Sequence, residues 1–323
     1  MNYFYEDGTA ITLNPNKKFA SGGEGSIFMH PKNKQKCIKI YHTPKSPSTV
    51  DSYKQLGALN STYFIKPEKM LFSPKGELAG FEMQYIDINN FFILKKLMTK
   101  SFCDQNNFDR TFKYNVYLNL KKAIEDAHNK NIVIGDLNPY NILFDKLANI
   151  YFVDVDSFAT KHKPHSGVLL EDIRDWILHP QINHQTDAFA FDVLVFWMFT
   201  YLHPYRGTTK LYKNLEERVI KNASVLQPNK IPDLITPPVY EKFTNQHILN
   251  QFEEVFEKRK RFLVDLGNAS VVPQNVPAFQ PINLNSSDLF IRIIAEDIVW
   301  ADASLGLLAV KYKSGAYKVF NLA

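Results

Sequence analysis

Two acidic residues and one amide in the middle of the chain have the spacing of a chemical site. Asp136 and Asn141 lie five positions apart in a polar loop between two apolar runs, and Asp154 follows the next apolar run. Carboxylate and amide oxygens are ligands that Mg²⁺ accepts, and a carboxylate beside a hydroxyl can take its proton. Phosphoryl transfer needs both capacities. The alternative is an ordinary β-turn-β segment in which Asp and Asn serve as turn formers.

This stretch resembles the catalytic loop of the protein-kinase fold. Residues 132–144 read IVIGDLNPYNILF, where the family has His-Arg-Asp-x-x-x-x-Asn, then a strand, then Asp-Phe-Gly. The resemblance implies that Asp136 is the catalytic base or orients the acceptor hydroxyl. It also implies that Asn141 and Asp154 bind Mg²⁺.

Three positions of the loop depart from the family pattern. Ile134 and Gly135 replace His and Arg, and the glycine removes the cation that would bind a phosphorylated activation segment. Asn138 replaces the lysine that usually supports the transferring phosphate. Some of the charge stabilisation must therefore come from elsewhere.

The metal motif also has its own form. It reads Asp154-Val155-Asp156-Ser157-Phe158, which is similar to a bacterial and phage Ser/Thr kinase-like group with Asp-x-Asp-Ser-Phe in place of Asp-Phe-Gly. In an extended segment the carboxylates of Asp154 and Asp156 would point the same way. Asp156 would then either help to hold the metal or hydrogen-bond the neighbouring backbone.

A glycine cluster near the start of the chain suits a hairpin that passes close to phosphates. Gly22, Gly23 and Gly25, followed by Ile27, match the pattern G-x-G-x-x-G-x-V from its second glycine onward, with Ala20 at its first position. The resemblance implies that this hairpin covers the phosphates of ATP. A plain hairpin turn is the alternative.

Lys39 lies in the strand that follows the glycines. It occupies the lysine position of Val-Ala-Ile-Lys, fourteen residues after Gly25, and the resemblance makes it the phosphate-pairing lysine. The alternative is a solvated strand lysine. No Glu occurs between residues 39 and 68, so the family's helix glutamate is absent. We expect that Asp51 or Gln55 of a short helix holds the lysine, or that Asp154 holds it alone.

Two further strands are predicted at 69–72 and 79–86, separated by a turn at 73–76. The second of them ends where the resemblance places the hinge between two lobes. The adenine would meet this hinge, and Leu143 after the catalytic loop completes the predicted nucleotide-binding set. The hinge residues of that set are Met83, Gln84, Tyr85 and Ile86.

The fold that the resemblance implies is α+β: a two-lobed protein-kinase-like fold with a small β-rich C-terminal extension. We expect the N-lobe at 1–86, the C-lobe at 87–267, and a linker with the extension at 268–323. Apolar positions at i, i+4 spacing predict a long helix over 108–130. A buried helix at 188–202 follows Asp187, which the resemblance has bracing the catalytic loop.

The rest of the C-terminal half yields further predictions. Helices are expected near 211–221 and 241–266, with Glu171 as a weak substitute for the family's Ala-Pro-Glu motif. His203 precedes a proline and is expected to be structural. The extension predicts strands at 289–294, 307–312 and 317–320, with a turn at 313–316, and could dock a partner.

Composition excludes several other classes. The 323 residues are 45% hydrophobic and 14% aromatic, which predicts a large core. The net charge of +5 is spread along the chain and does not indicate nucleic acid. Cys37 and Cys103 are the only cysteines and suggest a reducing, cytoplasmic setting. The chain opens without a signal-peptide pattern, and 188–202 is short for a membrane span and contains Asp192.

These features predict a kinase-fold enzyme that uses ATP and Mg²⁺ and transfers the γ-phosphate to a hydroxyl, with protein Ser or Thr as the expected acceptor. Two other readings stay open. A pseudokinase scaffold is favoured by Asn138 and the missing helix glutamate, whereas a small-molecule kinase is favoured by the absent Ala-Pro-Glu motif. Retention of Lys39, Asp136, Asn141 and Asp154 together argues against the scaffold.

Overall fold

The computed structural model describes residues 1–46 and 48–267, and it also describes four strands in the C-terminal part of the chain. The chain divides into two compact units, Met1–Ser270 and Val271–Ala323. The first unit combines helices with antiparallel sheet, in agreement with the predicted α+β class. The lobe boundary at residue 86 stays a prediction.

A seven-stranded antiparallel sheet is built from the N-terminal part of the first unit. Its order is β2-β1-β6-β7-β5-β4-β3, so β5 and β7 lie near the middle. The strands are Asn2–Tyr5 (β1), Ala10–Thr12 (β2), Lys18–Ser21 (β3), Gly25–Met29 (β4), Lys36–Lys45 (β5), Lys69–Phe72 (β6) and Leu78–Gln84 (β7).

Strand β5 decides which way the key lysine faces. Ile38 and Ile40 are buried in a small apolar cluster on one side of the sheet. Side chains alternate along a strand, so Lys39 and Tyr41 lie on the opposite side. Tyr41 is part of the main core of the unit, and Lys39 is therefore directed toward the interior rather than into solvent.

Helices and a small three-stranded sheet form the remainder of the unit. The small sheet has the order β10-β9-β8, and its two-residue strand β8 is paired only with β9. The helices are Ser48–Leu56 (α1), Lys100–Asn106 (α2), Arg110–Asn129 (α3), His184–Thr200 (α4), Leu215–Ile220 (α5) and Gln246–Phe256 (α6), and the strands are Phe92–Ile93 (β8), Ile142–Phe144 (β9) and Ile150–Phe152 (β10).

Helices α3 and α4 carry the core of this part. The predicted stripe of α3 is buried at Val116, Leu120 and Ile124, and Asp109 caps the helix by accepting the N–H of Phe112 at 2.8 Å. Helix α4 is buried on nearly all sides and begins with a capping box at Asn183. Among the described helices none has the length and apolar content that a membrane crossing requires.

Some element boundaries were predicted too generously. The helix expected over 211–221 is the shorter α5, and the helix expected over 241–266 is α6, which begins at an Asn245 cap. The chain does not continue as a helix after α6, and Arg259 has a positive φ of 59°, which interrupts a right-handed helix.

The second unit contains a four-stranded sheet in the order β11-β14-β13-β12, in which only β11 and β14 run parallel. The strands predicted at 307–312 and 317–320 are present, whereas those at 289–294 and the turn at 313–316 lie outside the described residues. The same holds for the side chains on which partner docking would depend. The strands are Ile282–Leu284 (β11), Ile298–Ser304 (β12), Leu307–Tyr312 (β13) and Tyr317–Leu322 (β14).

Candidate active site

Lys39 meets two carboxylates from a segment more than a hundred residues later in the chain. Its Nζ donates to Oδ1 of Asp154 at 2.8 Å and to both oxygens of Asp156, at 2.8 and 2.9 Å. Burial alone would lower the pKa of the Lys39 ammonium, but the charges of Asp156 and Asp154 outweigh it and the pKa is raised. Lys39 is therefore a fixed, fully charged cation.

The two acidic partners differ in how they are placed. The side chain of Asp154 is 51% exposed, whereas that of Asp156 is 3% exposed. Asp156 also accepts a hydrogen bond from the hydroxyl of Tyr41 at 2.6 Å, and that hydroxyl is hydrogen-bonded to Tyr53 of α1. Both oxygens of Asp156 are thus used within the protein, and Asp154 keeps a face open to the cavity.

Asp154 holds the lysine as expected, but not alone, and neither of the two helix residues given as alternatives holds it. Asp51 is exposed on α1, and the amide of Gln55 donates to the carbonyl oxygens of Lys130 and Asn131. Asp156 shares the lysine with Asp154 instead. Helix α1 contributes only indirectly, through the hydroxyl of Tyr53.

The backbone at Asp154 explains this arrangement. An extended segment was predicted, but Asp154 has a left-handed backbone (φ 61°) and Val155–Ser157 forms a single 3₁₀ turn. Asp is one of the few residues with a side chain that tolerates this conformation. The tight turn folds Asp156 back toward the strand that holds Lys39, and the hydroxyl of Ser157 closes it by donating to the carbonyl of Asp154 at 2.9 Å.

Helix α4 supports the loop that contains Asp136. The carboxylate of Asp187 is fully buried and accepts the N–H groups of Ile134 and Gly135, each at 2.8 Å. It also contacts Nε2 of His128 at 3.0 Å. This is the bracing contact that the sequence predicts for Asp187, and it fixes the backbone immediately before Asp136.

Asp136 itself is partly buried beside the chain at 165–170. Its Oδ1 accepts the N–H of Leu170 at 3.2 Å, and the side chain of Asn138 hydrogen-bonds the same carboxylate. Burial raises the pKa of Asp136, and these two hydrogen bonds only partly oppose it. A carboxylate with a raised pKa is a better proton acceptor than an exposed one.

His165 fills the space above Gly135. Gly135 has φ +79°, and a Cβ atom on it would lie 2.6 Å from Nδ1 of the imidazole. Burial lowers the pKa of His165, so the ring is neutral at pH 7. The position that the family gives to arginine is thus closed by an imidazole from another segment.

Asn141 is tied to the strand that leads to Asp154. Its carbonyl oxygen accepts the N–H of Val153 at 2.9 Å, and its own N–H donates to Asn138 at 2.8 Å. No hydrogen bond of its side-chain amide is found within the described residues. Asn141 therefore has an available amide oxygen on the backbone segment next to Asp154.

A cavity of about 140 Å³ opens beside Lys39 and Asp154. At the far end of the cavity the N–H of Tyr85 donates to the carbonyl oxygen of Gln35 at 2.8 Å. Because that N–H is already used, a ligand would have to bind backbone groups that follow Tyr85. The ring of Phe19 meets that of Tyr85 edge-on at 5.7 Å between centroids. The lining consists of Phe19, Ile27, Cys37, Lys39, Ile65, Phe81, Met83, Gln84, Tyr85, Ile86, Ile88, Val153, Asp154 and Asp156.

This lining overlaps with the predicted nucleotide set but is not identical to it. Ile27, Lys39 and the hinge residues 83–86 are among its members, whereas Leu143 and the three glycines are not. Gly22 and Gly23 face open space. At Gly25 a Cβ would lie 2.6 Å from the carbonyl oxygen of Ile40, so this glycine is required by the close approach of β4 and β5.

Six lining residues were missed by the sequence prediction. Cys37 could have been found, because it lies two residues before Lys39 on the same face of β5. Phe19 directly precedes the glycine hairpin. The other four depend on tertiary packing and carry no local signal, and they are Ile65, Phe81, Ile88 and Val153.

Asp175 and Arg261 form a buried ion pair. Arg261 donates to both carboxylate oxygens of Asp175, at 2.5 and 3.0 Å, and both side chains are almost completely buried. Asp175 also caps the N–H of Ile177 at 3.1 Å. Glu171, the predicted substitute for the family's glutamate, lies in an exposed 3₁₀ turn, so Asp175 makes the buried pair instead.

Comparison with known proteins gives one partial similarity. The chain is 31% identical over 134 residues to cAMP-dependent protein kinase type 3 of Saccharomyces cerevisiae. The match covers 38% of this chain and 33% of that protein, so the chain spans about a third of the relative's length. No family profile matches the chain. The similarity supports a kinase-like relationship for the part that is covered.

Proposed function

We propose that the chain is an ATP-dependent phosphotransferase with a two-lobed kinase-like fold, and that it transfers the γ-phosphate of MgATP to a hydroxyl of a protein Ser or Thr. The proposal rests on one observation: Lys39 and Asp154 converge at the polar end of an otherwise apolar cavity. A flat apolar base fits such a cavity, and phosphates fit beside a fixed cation.

The residues divide into holding and reacting groups. The hinge at Gln84–Ile86 would bind the adenine, and Lys39 would pair with the phosphates. Asp154 and Asn141 offer a half-exposed carboxylate and an unpaired amide, an oxygen donor set that suits Mg²⁺. Bound Mg²⁺ supplies charge neutralisation at the phosphates. Asp156, with both oxygens already bonded, is assigned to hold Lys39.

The reacting step would centre on Asp136. The acceptor oxygen forms a bond to the γ-phosphorus while the bond to the β,γ-bridging oxygen breaks and ADP leaves. The hydroxyl proton passes to the carboxylate of Asp136, whose pKa burial has raised. Asp187 keeps the carboxylate in place through the N–H groups of Ile134 and Gly135.

Asn138 favours a second candidate, a scaffold that binds nucleotide without turnover. Its side chain hydrogen-bonds Asp136, and it lacks the positive charge that a lysine at this position would bring to the transferring phosphate. A scaffold has no chemical need to retain Lys39, Asp136, Asn141 and Asp154 together. We therefore rank the enzyme first.

Two variants separate these functions. Asp154→Asn removes a metal ligand, and we expect it to weaken MgATP binding and abolish transfer. Asp136→Asn leaves MgATP binding intact while transfer falls by roughly 10²-fold or more, the usual scale for a positioned acid-base group. The measurements are a thermal-shift titration with MgATP and transfer of labelled phosphate to the protein itself or to a panel of acceptors.

Asp104→Asn is the matched control, because Asp104 is an exposed carboxylate on α2. It should behave as the unaltered protein in both assays. Binding of MgATP with neither transfer nor hydrolysis, over a broad acceptor panel, would favour the scaffold. Failure to bind any nucleotide would overturn both candidates.

A further inference from the structure

A second cavity, of about 230 Å³, lies where the chain leaves α4 and enters α5. Its lining includes three cationic side chains, Arg206, Lys213 and Arg218, together with hydroxyl groups and the amide of Asn214. None of the lining residues is acidic. The proposed phosphotransfer chemistry uses no residue of this cavity.

Arg218 is the innermost of the three cations. It is 3% exposed, and its Nε donates to the carbonyl oxygen of Ala223 at 3.1 Å. Neither Nη1 nor Nη2 has a hydrogen-bond partner within the described residues. Burial lowers the pKa of Arg218 to about 10, so the guanidinium still carries its charge at neutral pH.

A buried charge without a partner is costly, because burial removes its hydration and no hydrogen bond or counter-charge replaces the lost water. The contrast with Arg261 is direct. That buried guanidinium is held by both oxygens of Asp175, whereas the groups that influence Arg218 are the phenols of Tyr212 and Tyr205. Four N–H bonds of Arg218 thus stay unused in the wall of a cavity, where both Nη atoms are almost fully shielded from solvent.

The rim of the cavity adds positive charge. Lys213 is exposed and forms no ion pair within the described residues, while Arg206 is paired with Asp172 through Nε and Nη2. Two carboxylates accept hydrogen bonds from neutral donors at or next to the rim. Asp233 accepts from Thr209 and from the N–H of Lys210, and Glu217 accepts the N–H of Lys213.

We propose that this cavity binds a phosphate group, either as inorganic phosphate or as a phosphate monoester. The two free Nη atoms of a guanidinium match two oxygens of one phosphate, which makes Arg218 a bidentate donor. Lys213 supplies the second positive charge at the mouth. The ligand compensates the buried cation that the protein leaves unpaired.

The test measures the melting temperature of the full chain at pH 7.5 as inorganic phosphate replaces chloride at constant ionic strength. A ligand that binds the folded state raises the melting temperature, by about 2 °C for each tenfold increase above its Kd in a chain of this size. Arg218→Met should remove this phosphate-dependent rise. Phosphoserine is a second arm, and a lower midpoint for it than for phosphate assigns the site to a monoester.

Two further variants keep the test decisive. Lys213→Ala changes an exposed residue, so it should fold, and it should raise the phosphate midpoint several-fold. Lys39→Met removes the cation of the nucleotide cavity and should leave the rise intact. Equal rises in the unaltered protein, Arg218→Met and Lys213→Ala, or no rise in the unaltered protein, would overturn the proposal. No ATP is present, so the outcome is independent of the proposed phosphotransfer.

Discussion

Both carboxylate oxygens of Asp156 accept hydrogen bonds from Nζ of Lys39, at 2.8 and 2.9 Å, and Asp156 lies in the tight turn that begins at Asp154. One short segment therefore fixes the position of the Lys39 ammonium and also carries Asp154, the proposed metal ligand. A helix that swings in and out is not needed to complete the pair, because α1 reaches it only through the Tyr53 and Tyr41 hydroxyls.

Asp156→Asn should loosen Lys39 and destabilise the fold. Removing one charge of a buried ion pair costs about 3 kcal/mol, because the partner cation stays buried. We expect a lower midpoint of urea unfolding and weaker MgATP binding. Asp51→Asn, on the exposed face of α1, is the control and should change neither. An Asp156→Asn protein as stable as the unaltered chain would show that Asp154 alone holds the lysine.

Asp175→Asn should destabilise the helical part of the first unit. It leaves the guanidinium of Arg261 buried without a counter-charge, a loss of about 3–5 kcal/mol in the free energy of unfolding. The pair between Glu254 of α6 and the exposed Lys258 offers a matched comparison, and Lys258→Gln should have a far smaller effect. Equal urea midpoints for the two variants would contradict the structural importance of the buried pair.

His203 should make stability depend on pH. Its Nε2–H donates to the carbonyl of Asp172 at 2.7 Å and Nδ1 accepts the N–H of Tyr205 at 3.1 Å, so both nitrogens are occupied in the neutral ring. Burial lowers the pKa of His203 far below its ordinary value, against the opposing field of Asp172. The unfolded chain binds a proton near pH 6.5 and the folded chain does not, so stability falls as the pH drops below about 6.5.

The expected slope from His203 is about 1.4 kcal/mol for each pH unit below that value. His203→Gln should flatten the decline of the urea midpoint between pH 7.5 and 5.5, even if it is less stable at pH 7.5. His247→Gln, at an exposed position of α6, should keep the full decline. A decline of the same size in both variants would show that His203 does not set the pH dependence.

If the chain is the proposed phosphotransferase, its activity should not need a phosphorylated activation segment. Gly135 carries no side chain, and His165, neutral because burial lowers its pKa, occupies the space beside it. Protein treated with phosphatase should transfer phosphate as fast as untreated protein. A loss of tenfold or more on treatment, restored by rephosphorylation, would refute this independence.

Local patterns carried much of this structure. The stripe of α3, the alternation of β5 and the loop at 132–144 follow from periodicity and turn chemistry, and each lies where the sequence predicts it. Lys39 and Asp154 were paired in the prediction because a motif links them. The left-handed backbone of Asp154 was not foreseen, since an Asp within this motif gives no signal for it.

Most of what the sequence did not predict are contacts between residues far apart in the chain. Asp175 and Arg261 lie 86 positions apart, and neither residue type nor spacing identifies Asp175 among the acidic residues as the partner of this arginine. The lining residues Ile65 and Val153 come from separate connecting segments and become neighbours only once the first unit has folded. The cavity beside Arg218 could not be predicted from the sequence either. Its proposed chemistry depends on two Arg218 nitrogens that have no hydrogen-bond partner within the described residues.

The contact between Gly135 and His165 restricts how control by phosphorylation could evolve in this lineage. An arginine gained at 135 would meet the imidazole at 2.6 Å from its Cβ and would also have to adopt a backbone that glycine favours. The order of changes is therefore constrained: residue 165 must shrink or move before residue 135 can gain a cation.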